Sequence, residues 1–158
     1  MIPDCNGKGN TVSRDIWQTP QRLFDLLNEQ YNFRFDCCSN NQNRKCKNWS
    51  DDFEKVDKTL IEDGVVYMNP PFSIANRMFK HFFKVVKRGV AIYGCDNLET
   101  KIWQKIIFKE ADWVFIPDNR IIYEGILGKS PRFPSALIGK GVEPPNDIDG
   151  VVLKVIGV

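Results

Sequence analysis

Residues 65–94 constrain the fold more than any other part of the chain. A β-branched and aromatic run, Val65–Met68, stops just before a double proline, because proline cannot donate a backbone hydrogen bond to a strand ladder. A helical stripe of apolar residues follows, and it consists of Ala75, Met78, Phe79, Phe82, Phe83 and Val86. A second apolar run then ends at Gly94. This strand–helix–strand order predicts two parallel strands joined by a right-handed crossover.

Helix signals also flank this unit. Thr19 is the predicted N-cap of a first helix, with Pro20 at the first helical position, where the missing N–H of proline costs nothing. We expect Ser73 to cap the central helix and Gly89 to stop it. A third helix is expected over residues 98–111, on a stripe made of Ile102, Trp103, Ile106 and Ile107.

The remaining strand signals decide the fold class. A short strand is expected at residues 33–38, and later strands at 112–117, 120–125 and 150–158. Helix and strand alternate up to about Phe115, which favours parallel pairing, whereas the tail is typical of antiparallel structure. The sequence therefore predicts an α/β fold with a mostly parallel sheet and an antiparallel C-terminal hairpin. We expect one domain over residues 15–158, after a flexible N-terminal arm of residues 1–14.

Composition narrows the class of protein. At 158 residues and 18.3 kDa the chain has the size of one domain, and no apolar run approaches the roughly 18 residues of a membrane span. Its first residues lack the basic and apolar segments of a signal peptide, so we expect a soluble, cytoplasmic protein. Five cysteines without paired spacing predict reduced thiols and no bound metal.

The positive charges are unevenly distributed, although the net charge is only +2. Residues 77–88 contain no acid but carry Arg77, Lys80, Lys84, Lys87 and Arg88. A positive helix face of this kind is consistent with contacts to phosphates and equally with simple solvation.

The tetrapeptide Asn69-Pro70-Pro71-Phe72 follows the strand that ends at Met68. Ligands of open parallel sheets bind beyond the carboxyl ends of the strands. The side-chain oxygen of Asn69 and the carbonyl of Pro70 are two acceptors in a fixed orientation, because the prolines restrict the backbone. Two acceptors can bind both N–H groups of an exocyclic amine, and Phe72 offers a face on which a base can stack. The arrangement suits an adenine or cytosine amino group, although Asn-Pro is also a common turn opener.

Several motifs in order make the chain similar to a known family. "WQTP", "MNPPFS", "NLETKIWQ", "NRIIYEG" and "SPRFPSALI" resemble motifs of the small phage-type DNA N6-adenine methyltransferases, the phage Dam family, and the resemblance extends over about residues 15–140. It implies a Rossmann-like methyltransferase fold and transfer of a methyl group from S-adenosylmethionine to the N6 amino group of adenine in double-stranded DNA. It also implies a phage or prophage origin, with the host cytoplasm as the location. Evasion of restriction and other biological roles both stay open.

The resemblance also implies site residues. The expected cofactor site consists of Trp17, Thr19, Pro20, Asp36, Cys37, Cys38 and Asn43. Asp36 is expected to contact the methionine or ribose part of the cofactor, and residues 69–72 the target base. The chain departs from the family pattern because no Gly-rich loop follows Asp36 and Phe72 replaces the commoner Tyr. The acid that binds the ribose is not assigned, and Asp51 and Asp52 are the candidates.

The implied mechanism needs the target base to leave the duplex, since a stacked amine cannot reach a buried methyl donor. No general base is needed before attack, and His81 is expected on the surface. The expected phosphate contacts are Arg77, Lys80, Arg120, Lys129 and Arg132. Three alternatives stay open: methylation of RNA adenine, methylation of a protein glutamine, and a non-catalytic DNA-binding or host-interaction protein with the same fold.

Overall fold

The structure is a computed structural model that describes Asp15, residues 17–124 and residues 133–154. The helices and strands are α1 (Gln21–Tyr31), β1 (Phe33–Asp36), β2 (Val65–Met68), α2 (Ala75–Val85), β3 (Gly89–Gly94), a π-helix (Ile102–Ile107) continuing into α3 (Phe108–Glu110), β4 (Trp113–Pro117), β5 (Ser135–Lys140) and β6 (Gly150–Lys154). Short 3₁₀ turns lie at Phe53–Lys55, Lys58–Leu60 and Phe72–Ile74. The predicted N-terminal arm of residues 1–14 lies outside the described residues.

The six described strands form one mixed sheet in the order β1-β2-β3-β5-β4-β6. The β1–β2 and β2–β3 pairs are parallel, whereas β5 is antiparallel to both β3 and β4, and β6 is antiparallel to β4. The α/β class and the early parallel part are thus as predicted. Three details were wrong. The strand β4 is antiparallel to both of its neighbours, so the sheet is not mostly parallel. The strand β5 was not predicted, and β6 pairs with β4 and not with the strand before it in the chain, so there is no C-terminal hairpin.

Two apolar cores cover the two faces of the sheet, because successive residues of a strand point to opposite sides. In β2, Val66 and Met68 pack with α2 and the π-helix, whereas Tyr67 packs with α1. The predicted apolar stripes of α2 and of the third helical region are buried. The sheet is therefore covered on both faces, which leaves its carboxyl edge as the place where polar groups can collect.

Three predicted helix ends were wrong because the side chains have tertiary partners or the backbone turns earlier. Pro20 is not helical but is the cap residue of α1, and the Thr19 hydroxyl bonds to the hydroxyl of Tyr67 instead of capping the helix. Ser73 lies in a 3₁₀ turn and bonds to Asp15. The α2 helix ends at Val85, well before Gly89, which is the first residue of β3.

Two later elements also differ from prediction. Residues 102–107 form a π-helix rather than an α-helix, although the predicted stripe is buried. Residues 120–124 form no strand: Glu124 makes only an isolated antiparallel bridge with Gln18. That bridge nevertheless brings the N-terminal segment next to residues 121–124, beside the carboxyl edge of the sheet.

The described part of the chain contains no helix long and apolar enough to cross a membrane. Among the same residues, no group of three His, Cys, Asp or Glu side chains is arranged to hold a metal ion. Cys37, Cys38, Cys46 and Cys95 are free thiols, and Cys5 lies outside the described residues.

Candidate functional site

The carboxyl ends of β1 and β2 form one edge of a cleft of about 240 Å³. Parallel register places Asp36 opposite Tyr67, and the Cys37 amide donates to the Tyr67 carbonyl at 2.9 Å. The ends of the two strands therefore lie side by side. The cleft collects most of the predicted cofactor and catalytic residues: Trp17, Thr19, Asp36, Cys37, Cys38, Asn43, Asn69 and Pro71.

Asp36 is the buried carboxylate of this cleft, with 2% of its surface exposed. Its Oδ2 accepts from the backbone N–H of Lys45 at 2.9 Å, whereas its Oδ1 has no hydrogen-bond partner. Burial raises the pKa of the Asp36 carboxyl. The Lys45 amide, the nearby Ser39 hydroxyl and the Cys38 amide partly offset that rise, although the Ser39 hydroxyl does not reach hydrogen-bond geometry with Oδ1. The side chain thus retains one free acceptor that is withdrawn from water.

Two further buried polar atoms of the cleft also lack partners: the indole Nε1 of Trp17 and the hydroxyl of Ser39. Of the side chains that the structure describes, only these two and Asp36 have a buried polar atom in that condition. Buried polar groups are normally hydrogen-bonded, so three unpaired atoms around one cleft suggest a ligand that bonds to them. Together they offer a donor, an acceptor and a hydroxyl that can do either.

A polar loop after β1 closes one side of the cleft. The Asn40 side chain accepts from the amides of Gln42 and Asn43, at 2.8 and 2.9 Å, and the backbone N–H of Asn40 donates to the Oδ1 of Asn43 at 2.7 Å. Asn43 therefore stabilises a loop that takes the place of the missing Gly-rich segment.

The two acidic candidates, Asp51 and Asp52, point to different environments. Residues 48–50 run beside β1, with the Asp36 amide donating to Asn48 at 2.9 Å and the Ser50 amide donating to Asp36 at 3.0 Å. This segment brings Asp51 to the lining of the cleft. Asp52 instead pairs with Lys55 at 3.3 Å on the surface. Of the two carboxylates, only Asp51 is placed to contact a ligand in the cleft.

The turn after β2 holds its asparagine in a defined orientation. The Asn69 Nδ2 donates to the carbonyl of Trp17 at 3.1 Å. Because only the amide nitrogen can donate to a carbonyl, this bond decides which end of the side chain is the oxygen. The Oδ1 of Asn69 is thereby available as an acceptor. Pro70 is buried, and Pro71 lies on the wall of the cleft.

Phe72 faces a second cavity of about 220 Å³, which Tyr93, Gly94, Asp96 and Trp103 also line. Its ring centroid lies 4.8 Å from that of Tyr93 and 5.5 Å from that of Phe133. The tetrapeptide thus separates two cavities, with Asn69 and Pro71 on the first and Phe72 on the second.

The predicted phosphate contacts are less organised. Arg77, Lys80 and Arg120 are exposed, and Arg77 forms an ion pair with Glu54. Lys129 and Arg132 lie outside the described residues. His81 is half-buried rather than free on the surface, and its ring packs edge-on against Phe53 at 4.7 Å.

The cleft also contains residues that the sequence did not indicate, and it omits some that it did. Pro20 and Pro70 do not line it, whereas Asp15, Ser39, Lys45 and Tyr67 do. Ser39 could have been found from its place just after the predicted strand end. Nothing in the sequence distinguishes Asp15 from the other polar residues near it.

Comparison with known families decides the class of protein. A family model described as DNA N-6-adenine-methyltransferase (Dam) matches residues 7–130, which is most of the chain. The chain belongs to the Dam family. A search of the curated proteins gave no match. The matched range includes the cleft and the tetrapeptide, and the motif resemblance found in the sequence is confirmed. At the level of the family, Dam membership indicates N6-methylation of adenine in DNA, with DNA as the substrate.

Proposed function

We propose that this Dam-family chain is an S-adenosylmethionine-dependent methyltransferase that modifies the N6 amino group of adenine in double-stranded DNA, encoded by a phage or prophage. The observation that carries the proposal is the set of three buried, unpaired polar atoms on Trp17, Asp36 and Ser39 around one cleft. Their cleft adjoins the strand end that carries Asn69. A cofactor with both donor and acceptor groups would satisfy all three atoms.

The proposed cofactor residues match the chemistry of S-adenosylmethionine. The Asp36 carboxylate suits the ammonium group of its methionine part, whereas the Trp17 N–H and the Ser39 hydroxyl suit its carboxylate. Asp51 suits the ribose hydroxyls, because a carboxylate can accept from both. Thr19, Cys37, Cys38 and Asn43 complete the wall, and Pro20, the cap residue of α1, follows directly after this segment. When bound, the cofactor supplies an electrophilic methyl group on sulfur.

The proposed base site is the tetrapeptide. Asn69 Oδ1 and the Pro70 carbonyl accept the two N–H donors of the target amine, which favours a nitrogen lone pair directed away from its own ring. Phe72 stacks on the base, a contact worth about 1–3 kcal/mol. These contacts offset the few kcal/mol needed to flip a base out of the duplex. Pro71 keeps the turn rigid, so that alignment of the reacting atoms accounts for much of the rate enhancement.

The proposed DNA contacts outside the base site are Arg77, Lys80 and Arg120, together with Lys129 and Arg132 of the predicted set. Exposed cations of this kind provide affinity that depends on salt and little on sequence. We propose a cytoplasmic protein that acts on host or phage DNA, with evasion of restriction as its role.

The test is methyl transfer from labelled S-adenosylmethionine to unmethylated duplex DNA, followed by analysis of the nucleosides. We expect N6-methyladenine from the natural chain and at least a hundredfold less from Asn69→Ala, since it loses an acceptor that is used in the transition state. Asn146→Ala, which changes an exposed asparagine outside the family motifs, is the matched control and should retain full activity.

Parallel reactions with RNA and with protein separate the alternatives. Methylated adenine in RNA alone, or methylated glutamine, would replace the DNA proposal. A folded chain that methylates none of the three and gains no thermal stability from S-adenosylmethionine would be a binding protein. A cofactor at 100 times its dissociation constant should otherwise stabilise the protein by about 2.7 kcal/mol.

A further inference from the structure

The N-terminal segment, described at Asp15 and at residues 17–19, lies along the cofactor cleft and is bonded to the protein on two sides. Asp15, Trp17, Gln18 and Thr19 all line the cleft. On one side, the backbones of Gln18 and Glu124 exchange two hydrogen bonds of 2.8 Å. The Thr19 hydroxyl bonds to Tyr67 beneath. These contacts anchor the C-terminal half of the segment to the body of the protein.

On the other side, the segment forms hydrogen bonds with the turn that follows β2, both before and after Phe72. Before Phe72, the carbonyl of Trp17 accepts from the Asn69 side chain at 3.1 Å. After Phe72, the Asp15 carboxylate accepts twice from Ser73, from the backbone N–H at 2.8 Å and from the hydroxyl at 2.5 Å. Hydrogen bonds to an ionised carboxylate are shorter and stronger than neutral ones. The Asp15–Ser73 contact is therefore the stronger of the two contacts with the turn.

Asp15 and Trp17 therefore serve two sites. They form a wall of the cleft, and they hold the turn that carries the acceptor for the target amine. If the segment moved away from the turn, the Asn69 side chain would lose its bond to the Trp17 carbonyl. That bond keeps the amide nitrogen on the segment and leaves the oxygen free to accept. An amide turned by 180° would present donors to the donors of an amine, and the base would be repelled.

We infer that Asp15 is a positioning residue that couples ligand binding in the cleft to the geometry of the base-binding turn. The inference rests on the proposed function, since it takes the cofactor and the target base as the two ligands. A ligand that contacts Trp17 stabilises the seated segment, and the seated segment holds Asn69 and Ser73. Because coupling between two binding sites is reciprocal, DNA bound at the turn must strengthen cofactor binding by the same factor.

The test compares Asp15→Asn, Ser73→Ala and the double variant with the natural chain. Asp15→Asn keeps the shape of the side chain and one acceptor for the Ser73 amide but removes the charge. Asp25→Asn is the matched control, because Asp25 is an exposed carboxylate on α1 that accepts a bond from Gln21. For each protein we would measure DNA affinity with and without saturating S-adenosylhomocysteine, its affinity without DNA, kcat, both KM values and thermal unfolding.

We expect S-adenosylhomocysteine to increase the DNA affinity of the natural chain and of Asp25→Asn. In Asp15→Asn most of this increase should be absent. The kcat of Asp15→Asn should fall about tenfold, the scale of a lost charge-assisted hydrogen bond, while the KM for S-adenosylmethionine changes much less. Ser73→Ala should act in the same direction but more weakly, because the bond from its backbone N–H to Asp15 remains. The double variant should be no worse than Asp15→Asn, because both changes weaken the same contact.

Independent effects of the two substitutions, or unchanged coupling in both variants, would overturn the inference. Absence of coupling in the natural chain would overturn it as well. If Asp15→Asn does not fold, Ser73→Ala decides, since it removes only an exposed hydroxyl. A natural chain that binds both ligands but transfers no methyl group would defeat the proposed function, and the coupling measurement would still decide the role of Asp15.

Discussion

The two sides of the candidate site are built in opposite ways. On the proposed cofactor side, buried polar atoms of Trp17, Asp36 and Ser39 have no hydrogen-bond partner. On the proposed DNA side, Lys80 and Arg120 are exposed, and Arg77 already pairs with Glu54. An unpaired buried atom is costly and therefore specifies a ligand, whereas an exposed cation costs nothing and specifies little. We therefore expect ligand specificity to come from the buried cleft, and the exposed cations to contribute affinity alone.

Substitutions at Phe72, Asp36 and Lys80 would test this difference between the two sides. We expect the largest effect at Phe72, which lies between the sides and faces the second cavity. Phe72→Ala should lower kcat/KM for DNA about tenfold to a hundredfold, because it removes a stacking surface worth about 1–3 kcal/mol. Cofactor affinity should not change, since the ring does not line the cofactor cleft. Steady-state kinetics and cofactor titration measure both quantities.

Phe72→Tyr is the control for this change, because it keeps the aromatic face. It should retain activity within a few-fold of the natural chain. Equal losses of cofactor and DNA affinity in Phe72→Ala would contradict the separation of the two cavities, and unfolding curves would show whether lost packing on Tyr93 and Phe133 is the cause.

A smaller effect is expected at Asp36, where a substitution should lower cofactor affinity but raise the stability of the empty protein. Asp36→Asn should weaken cofactor binding about tenfold, because it removes a charged acceptor. The same change should stabilise the empty protein by on the order of 1 kcal/mol, since a buried carboxylate with one unpaired oxygen is destabilising. Denaturant unfolding and titration with S-adenosylhomocysteine check the two parts, with Asp25→Asn as an exposed control. A destabilised empty Asp36→Asn would contradict the idea that this oxygen is reserved for a ligand.

The pH dependence of stability sharpens the same test. Burial raises the pKa of Asp36 above its ordinary 3.8, so the native chain keeps a proton that the unfolded chain has already lost. The stability due to this proton is fully present below about 3.8 and is lost as pH rises through the raised pKa of the native state. Asn cannot release this proton, so Asp36→Asn does not lose stability as the pH rises. The difference in unfolding free energy between variant and natural chain should therefore increase with pH across that interval, and a constant difference would contradict it.

The sequence predicted the local parts of this structure well, because local periodicity determines them. The strand Val65–Met68, the buried stripe of α2 and the strand Gly89–Gly94 follow from alternation, helical spacing and the double proline. The carboxyl-edge placement of Asp36 and Asn69 follows from parallel pairing. These features make the site recognisable from the order of its residues alone.

The features that were missed depend on contacts between residues far apart in the chain. The insertion of β5 between β3 and β4 is a non-local pairing that no window of sequence contains. The hydroxyls of Thr19 and Ser73 both suit a helix cap, yet each finds a stronger tertiary partner. Asp51 and Asp52 are identical neighbours, and only the pairing of residues 48–50 with β1 separates them.

The smallest effect is expected on the DNA side, at Lys80. Lys80→Gln should weaken DNA binding only two- to threefold and reduce the slope of log affinity against log salt by about 1, as for one phosphate contact. Lys87→Gln, which alters an exposed lysine beyond the far end of α2, is the matched control and should leave the slope unchanged. Arg77→Gln should lower DNA affinity less than Lys80→Gln, because Arg77 must break its ion pair with Glu54 before it can contact a phosphate. Equal losses at Lys80 and Lys87 would mean that the helix acts by net charge alone, whereas a change in the methylated sequence with Lys80→Gln would mean that specificity is also built on the exposed side.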